Sequence, residues 1–352
     1  MESQPLNPGK LLALSGSYWQ TCTLHGAVKL DVFTTIGEKS LTASEVAERI
    51  GSPVRSLSMF LDALCAMELL LKENGEDIGN KSGKEMQGIN KDIQWRYSNT
   101  EISSTFLSKQ SPKYVGFMIM HHHHLVESWS RLDESVMSGK AIRTKASFAE
   151  DEKRESFLMG MFNIAMSTAP GLVPTVDLSG RKHLLDLGGG PGTYAVQFCL
   201  HNPDLDAVVF DLPTTRPFAE KTIERFGQQK RITFQDGDFL KDPVRGEYDV
   251  VWISHILHGD SPSDCQRTIK KAASVLQPGG MIVVHDFILN NKKDGPLFPA
   301  LFSLNMLLAT DGGQAYSEEE IIDMLQNGGF TNIVRTPYIG SMESGLITGI
   351  KA

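Results

Sequence analysis

Apolar residues recur at helical spacing through the first hundred positions. "GAVKLDVFTTI" carries Val28, Leu30, Val32, Phe33 and Ile36. "LTASEVAERIGSPVRSLSMFLDALCAMELL" predicts two helices. Thr42 with Glu45 three residues on is a capping-box pattern, and Gly51-Ser52-Pro53 stops one helix and starts the next. "LLLKENG" and "WRYSNT" predict a small β-wing, separated by the polar stretch "GEDIGNKSGKEMQGINKD", expected to be a mobile loop. Residues 106–178 are helical again, with four consecutive histidines, His121 to His124, inside them. From His183 the period shortens. "HLLDLG", "AVVFDL", "RITFQDGD", "YDVVWIS" and "MIVVHDF" are β-rich runs alternating with helix-like "TYAVQFCLHN" and "SDCQRTIKKAASVLQ". That alternation predicts a parallel, doubly wound α/β sheet, which binds ligands at the carboxyl ends of its strands. The expected divisions are 1–105, 106–178 and 179–352.

Composition narrows the function. The 352 residues are 41% apolar, enough for a sizeable core. With 34 basic and 42 acidic residues the formal charge is −8, a poor basis for binding phosphate backbones. The helix pair with a wing has the outline of a DNA reader. Its second helix, however, offers one Arg and no Lys, Asn or Gln for base edges, so subunit packing is the better use of that apolar surface. No uninterrupted apolar run reaches spanning length, and the N-terminus lacks the pattern of a secretion signal. No membrane or nucleic-acid partner is expected. Cys22, Cys65, Cys199 and Cys265 have no CxxC spacing and read as reduced thiols of a cytoplasmic protein.

"LLDLGGGPGTYA" follows the first long strand. Gly188, Gly190 and Gly192 permit a tight turn and close approach to a ligand. Alone they fit a plain strand-to-helix turn equally well, and one register also satisfies a dinucleotide fingerprint. Three carboxylates narrow the choice. Asp186 stands where it can meet an ammonium group, Asp211 where it can hold a ribose diol, and Asp238, beside Phe239, where it can accept from an adenine amine. Carboxylates around the site argue against a pyrophosphate and suit S-adenosylmethionine. No P-loop pattern is present.

These motifs resemble a known family. "DLGGGPGTY", "FDLP", "GDFL", "ILH", "LQPGG" and "GGF" match the S-adenosylmethionine-dependent O-methyltransferases of the caffeate, hydroxyindole and bacterial polyketide type. "LVESWSRLDESVMSG" resembles their linker helix. The resemblance spans nearly the whole chain. It implies a mainly α, winged-helix-like dimerisation domain over 1–105 and a helical linker lining the acceptor pocket over 106–178. A Rossmann-like class I methyltransferase domain would follow over 179–352, in a homodimer acting on a small-molecule acceptor. It further implies cofactor contacts from Leu212 and Ser254 besides Asp186, Gly188, Gly190, Asp211, Asp238 and Phe239.

A phenol has a pKa of about 10, so a neutral imidazole near the methyl would help remove its proton. "WISHILHGD" supplies His255 and His258; the resemblance makes His258 the general base and Asp286, in "VVHDFIL", its acidic partner. Departures from the plant members are Ser254 for a lysine, Gly259 for an Asp and Ala315 for a second acid. The reading is therefore an O-methyltransferase, with carbon methylation or non-methylating use of the cofactor on the same scaffold as the alternative. A DNA-binding regulator and a metal-binding protein built on the histidines stand behind these. A helix turns about 100° per residue, so only His121 and His124 share a face and the run cannot by itself ligate a metal. Either one or two of these histidines line the acceptor pocket with Met120, or all four are merely tolerated. Phe162, Met166, Phe302 and Met306 are expected as apolar pocket walls, with plain core packing as the alternative. No metal is expected.

Overall fold

Thr42 caps the helix Ala43–Ile50 as its sequence pattern predicts. Its hydroxyl accepts from the Glu45 N–H, and Glu45 Oε2 accepts the Thr42 N–H at 2.7 Å. Gly51 closes that helix and Pro53 precedes the next, Val54–Ala66, which buries Leu57, Leu61 and Leu64 on one face. These pack with Val32, Phe33, Ile36 and Val46 into one apolar cluster. Each fully buried side chain of this size contributes about 1.5–3 kcal/mol. Three strands complete the wing: β1 (Leu41–Thr42), β2 (Leu70–Asn74) and β3 (Trp95–Asn99), antiparallel in the order β1-β3-β2.

The computed structural model describes residues 7–75, 94–145 and 150–352. Apart from Gly75, the polar stretch expected as a mobile loop lies outside them. The chain divides into two compact units, Met1–His124 and Leu125–Ala352. The histidine run sits on the helix Gly116–Trp129.

In the second unit seven strands form one sheet. They are β4 (His183–Leu187), β5 (Asp206–Asp211), β6 (Ile232–Asp236), β7 (Tyr248–Ser254), β8 (Leu276–Phe287), β9 (Phe330–Thr336) and β10 (Ser344–Lys351), in the order β6-β5-β4-β7-β8-β10-β9. The first five in sequence run parallel, and β10 is antiparallel to both β8 and β9. Alternation sorts their side chains. Leu184, Val250, Trp252 and Val283 meet the helices Asp151–Leu172 and Thr193–His201 on one face. Leu185, Val251, Ile253 and Val284 meet Pro262–Val275 and Glu318–Asn327 on the other. Strand order reverses between β4 and β7, and the crevice at such a switch point is where α/β sheets take ligands.

One expectation needs correction. The helix from Asp151 through the turn ending at Thr175 is long and apolar enough by composition to cross a membrane, with mean hydropathy 1.3 over a window that is 50% buried. The expectation followed uninterrupted apolar runs, and here Asn163, Ser167 and Thr168 interrupt the run without lowering its mean much. Leu158, Phe162, Ala165, Ala169 and Leu172 are the buried apolar positions. They recur at helical spacing as one stripe, the pattern of a helix packed on a core.

Candidate active site

β4 hands the chain to a glycine turn that opens the helix Thr193–His201. Gly188 has φ +71°, and a Cβ on it would lie 2.4 Å from Ile256 Cδ1 and 3.6 Å from Phe239 Cε1. A side chain there would have to displace Ile256 and adopt a φ that L residues rarely take. Backbone, an aliphatic and an aromatic side chain thus converge just past the ends of β4, β6 and β7. Asp211 ends β5, where Oδ2 accepts from the Gly190 N–H and Oδ1 from the Leu212 N–H, each at 2.7 Å. Burial pushes this carboxyl up, against the pull of those two donors.

The other carboxylates are placed differently. Asp186 is 1% exposed and accepts from the Ala195 N–H at 3.2 Å. A Cβ on Gly189 would lie 2.6 Å from its Cγ, and burial pushes its pKa up to about 7. The sequence places it to meet a ligand's ammonium; in the fold it lies beneath the glycine turn and supports it. Asp238 accepts from Leu240 N–H and from Lys241 Nζ, both at 2.9 Å. Burial raises its pKa, but these partners outweigh burial and hold it below the usual range. Ser254, at the end of β7, has its Oγ 2.9 Å from His285 Nδ1. The other ring nitrogen of His285 meets Ser344 Oγ at 3.0 Å, so one buried imidazole ties together β7, β8 and β10.

His258 sits on the short 3₁₀ turn Leu257–Gly259 that follows β7. Its Nδ1 lies 2.6 Å from Asp286 Oδ1, and its backbone N–H donates to Asp286 Oδ2 at 3.3 Å. A carboxylate on Nδ1 fixes the tautomer with the proton on that nitrogen, leaving Nε2 as the acceptor. Burial alone would raise Asp286; its electrostatic attraction to His258 and the imidazole contacts outweigh it and hold the carboxyl well below the usual carboxylate range. Phe302 stands edge-on to the His258 ring at 4.7 Å, with Phe287 beside both. Gly313 backs this turn: a Cβ there would lie 2.5 Å from the His258 carbonyl oxygen. Ala315, where an acid stands in the plant members, is buried and donates its N–H to Ser303 Oγ.

His255 would share a face with His258, three residues on, only in a helix. The segment is not helical: His255 has φ +56°, a conformation that few non-glycine residues adopt. Its Nδ1 nevertheless comes to 3.6 Å from Asp286 Oδ1, just beyond hydrogen-bond reach. Among the described residues these three side chains are the one His/Asp trio close enough to share an ion. Zinc ligands sit about 2.0–2.2 Å from the ion, which would force the 2.6 Å contact between His258 and Asp286 apart. That spacing accommodates a hydrogen bond and not a metal between the two.

The expected pocket walls separate. Phe302 packs on the His258 ring, and Met306 follows one turn later on the same helix, Leu297–Ala309. Phe162 instead lies under the Arg225 guanidinium at 5.5 Å, and Met166 Sδ accepts from Gln197 at 3.6 Å. Both contacts are packing against the helices Arg216–Arg225 and Thr193–His201. Met120, His121 and His124 lie on the histidine helix of the first unit. There His123 faces inward, its Nε2 3.3 Å from Lys29 Nζ and its ring 5.7 Å from that of His25. Sequence reasoning missed Phe287 and Phe298, although the four-residue spacing of Phe298 and Phe302 on an apolar helix was a signal for the latter.

Two family profiles match the chain: an O-methyltransferase dimerisation domain over residues 12–109 and an O-methyltransferase domain over residues 135–331. The 3-hydroxy-5-methyl-1-naphthoate 3-O-methyltransferase of Streptomyces sahachiroi is 28% identical over 98% of this chain and 96% of that protein. The tetracenomycin polyketide synthesis 8-O-methyl transferase of Streptomyces glaucescens is 30% identical over 95% of this chain and 94% of that protein. Human N-acetylserotonin methyltransferase, solved in complex with S-adenosylmethionine, shares the fold over 100% of both chains with a TM-score of 0.83 at 24% identity.

Proposed function

The chain belongs to the S-adenosylmethionine-dependent O-methyltransferases, and on that premise we propose that it methylates a hydroxyl of an aromatic, polyketide-like small molecule with His258 as general base. One observation carries this reading: the 2.6 Å contact between His258 Nδ1 and Asp286 Oδ1 beside the glycine turn. Asp286 orients the imidazole and stabilises its protonated form, while Nε2 takes the hydroxyl proton. The aromatic acceptor is supported by the two Streptomyces relatives and by Phe302 and Phe287 around the base.

The residues at the turn fit an adenosyl group. Phe239 and Ile256 offer apolar faces beside Gly188, and Asp211, held by two backbone donors, offers a carboxylate for a diol. S-adenosylmethionine supplies, when bound, the sulfonium methyl that an in-line displacement transfers. Leu212, Asp238 and Ser254 are assigned to the same site from the strand ends they occupy, and Asp186 acts through the turn it supports. The functional division we propose remains 1–105, 106–178 and 179–352, the first part pairing two copies of the chain. The four free thiols support a reducing, cytoplasmic setting.

The test uses methyl-labelled S-adenosylmethionine and a hydroxyarene with open ring carbons. The expected product carries the label as a methyl ether. Label on ring carbon, or cofactor consumed without transfer, would replace this reading with the carbon-methylating or non-methylating alternative.

A further inference from the structure

Among the described residues, Arg143 is a sheltered cation with no acid paired to it. It lies on the segment 142–145, where the N–H groups of Ile142 and Arg143 both donate to Leu308 O at 3.1 Å. Its Nη2 donates to Asn305 Oδ1 at 2.8 Å and to Asn305 O at 3.1 Å. The same Oδ1 accepts from Trp129 Nε1 at 3.3 Å, so the amide is pinned from two sides. Among the described residues no Asp or Glu pairs with Arg143, and its Nε is buried with no hydrogen-bond partner. Desolvation lowers its pKa to about 10. Two residues on, Lys145 behaves ordinarily, with Asp260 Oδ1 at 2.9 Å.

Neutral amide oxygens orient a guanidinium but do not neutralise it, and a sheltered charge left so is costly unless something completes its shell. Position says what that is for. Asn305 lies three residues after Phe302 on one helix, close to a single turn, and the Phe302 ring is 4.7 Å from that of His258. On its other side Lys145 grips Asp260, two residues past His258. Arg143 is thereby fixed between two anchors that both adjoin the base.

We propose that Arg143 binds a carboxylate on the acceptor, so that the acceptor is a hydroxyarene carboxylic acid with its hydroxyl at His258 and its carboxylate at the guanidinium. The planar fork of arginine matches a carboxylate's two oxygens and forms charge-assisted hydrogen bonds with them. The distance from hydroxyl to carboxylate is then set by the rigid arene, which selects among ring isomers. This inference rests on the reading of His258 as the acceptor's base.

The test separates the two. Binding of 1-naphthoate and of methyl 1-naphthoate to the enzyme saturated with S-adenosylhomocysteine is measured by calorimetry; neither probe has a hydroxyl, so the base is not engaged. The wild type is expected to prefer the acid by about ten- to a hundredfold, the range for one hydrogen bond to a charged group. Arg143→Met should bring that ratio near one and Arg143→Lys should leave it between. A merely structural arginine would weaken both probes alike and leave the ratio unchanged. Equal binding of acid and ester by the wild type, no binding of either, or a preference that survives Arg143→Met overturns the proposal; the wild-type comparison stands even if the variants fail to fold. If 1-naphthoate is preferred but 3-hydroxy-1-naphthoate is not methylated, the assignment of the base falls and the carboxylate site stands.

Discussion

Asp211 does two things at once. It holds the glycine turn through Gly190 and is assigned a ligand diol on the same carboxylate. Asp211→Ala removes both, and losing a charged hydrogen-bond acceptor costs about 1–3 kcal/mol, so S-adenosylmethionine should bind roughly ten- to a hundredfold more weakly. Asp211→Asn keeps one backbone bond and should fall between. Calorimetry showing unchanged affinity in Asp211→Ala would remove the diol contact. What the sequence made legible here was the carboxylate at the end of β5, beside the glycine turn. The role of Asp186 was not legible. Its neighbours in sequence look the same, and only the fold shows that the glycines close over it. His255 was half legible: its place near His258 was a matter of spacing, but its φ of +56° is a tertiary fact.

The elements were readable where one face is plainly apolar. Five of the seven strands in the large sheet stand out because both faces of a parallel strand are buried. β9 escaped because it has one buried residue, at its start, and β10 because Gly345 and Gly349 break its apolar pattern. The histidine helix shows how packing decides what a run of like residues does. His123 turns toward the helix Tyr18–Lys29, its Nε2 near Lys29 Nζ and its ring against that of the buried His25. Burial first, then the charges of His123 and His122, lower the His25 pKa from 6.5 to about 4. Between those values the unfolded chain binds more protons, so this group's contribution is full above about pH 6.5 and is lost as pH falls toward about 4. The loss amounts to up to about 3 kcal/mol. Melting temperature should therefore drop across that window, and less steeply in His25→Gln. Equal slopes in the two proteins would show that His25 does not carry the effect.

At the scale of the whole molecule, the first unit exposes Leu11, Leu12, Leu14, Tyr18 and Trp19 at 60–71% each. An apolar patch on one small unit is the mark of an association surface, and the dimerisation-domain match, over residues 12–109, covers all of these but Leu11. Sedimentation at micromolar concentration should give a dimer, and Trp19→Asp should shift it toward monomer; a wild-type monomer would contradict the assignment. The central claim is that the second unit removes a hydroxyl proton through His258, and one measurement addresses it most directly. The turnover of His258→Ala is compared with wild type on two acceptors, a phenol that is neutral at assay pH and an analogue acidic enough to be ionised there. Loss of a general base costs roughly 10²–10⁴-fold in kcat. The account predicts that loss on the neutral phenol, a much smaller loss on the ionised analogue and little change in cofactor affinity. Full turnover on the neutral phenol, or an equal loss on both acceptors, would contradict it.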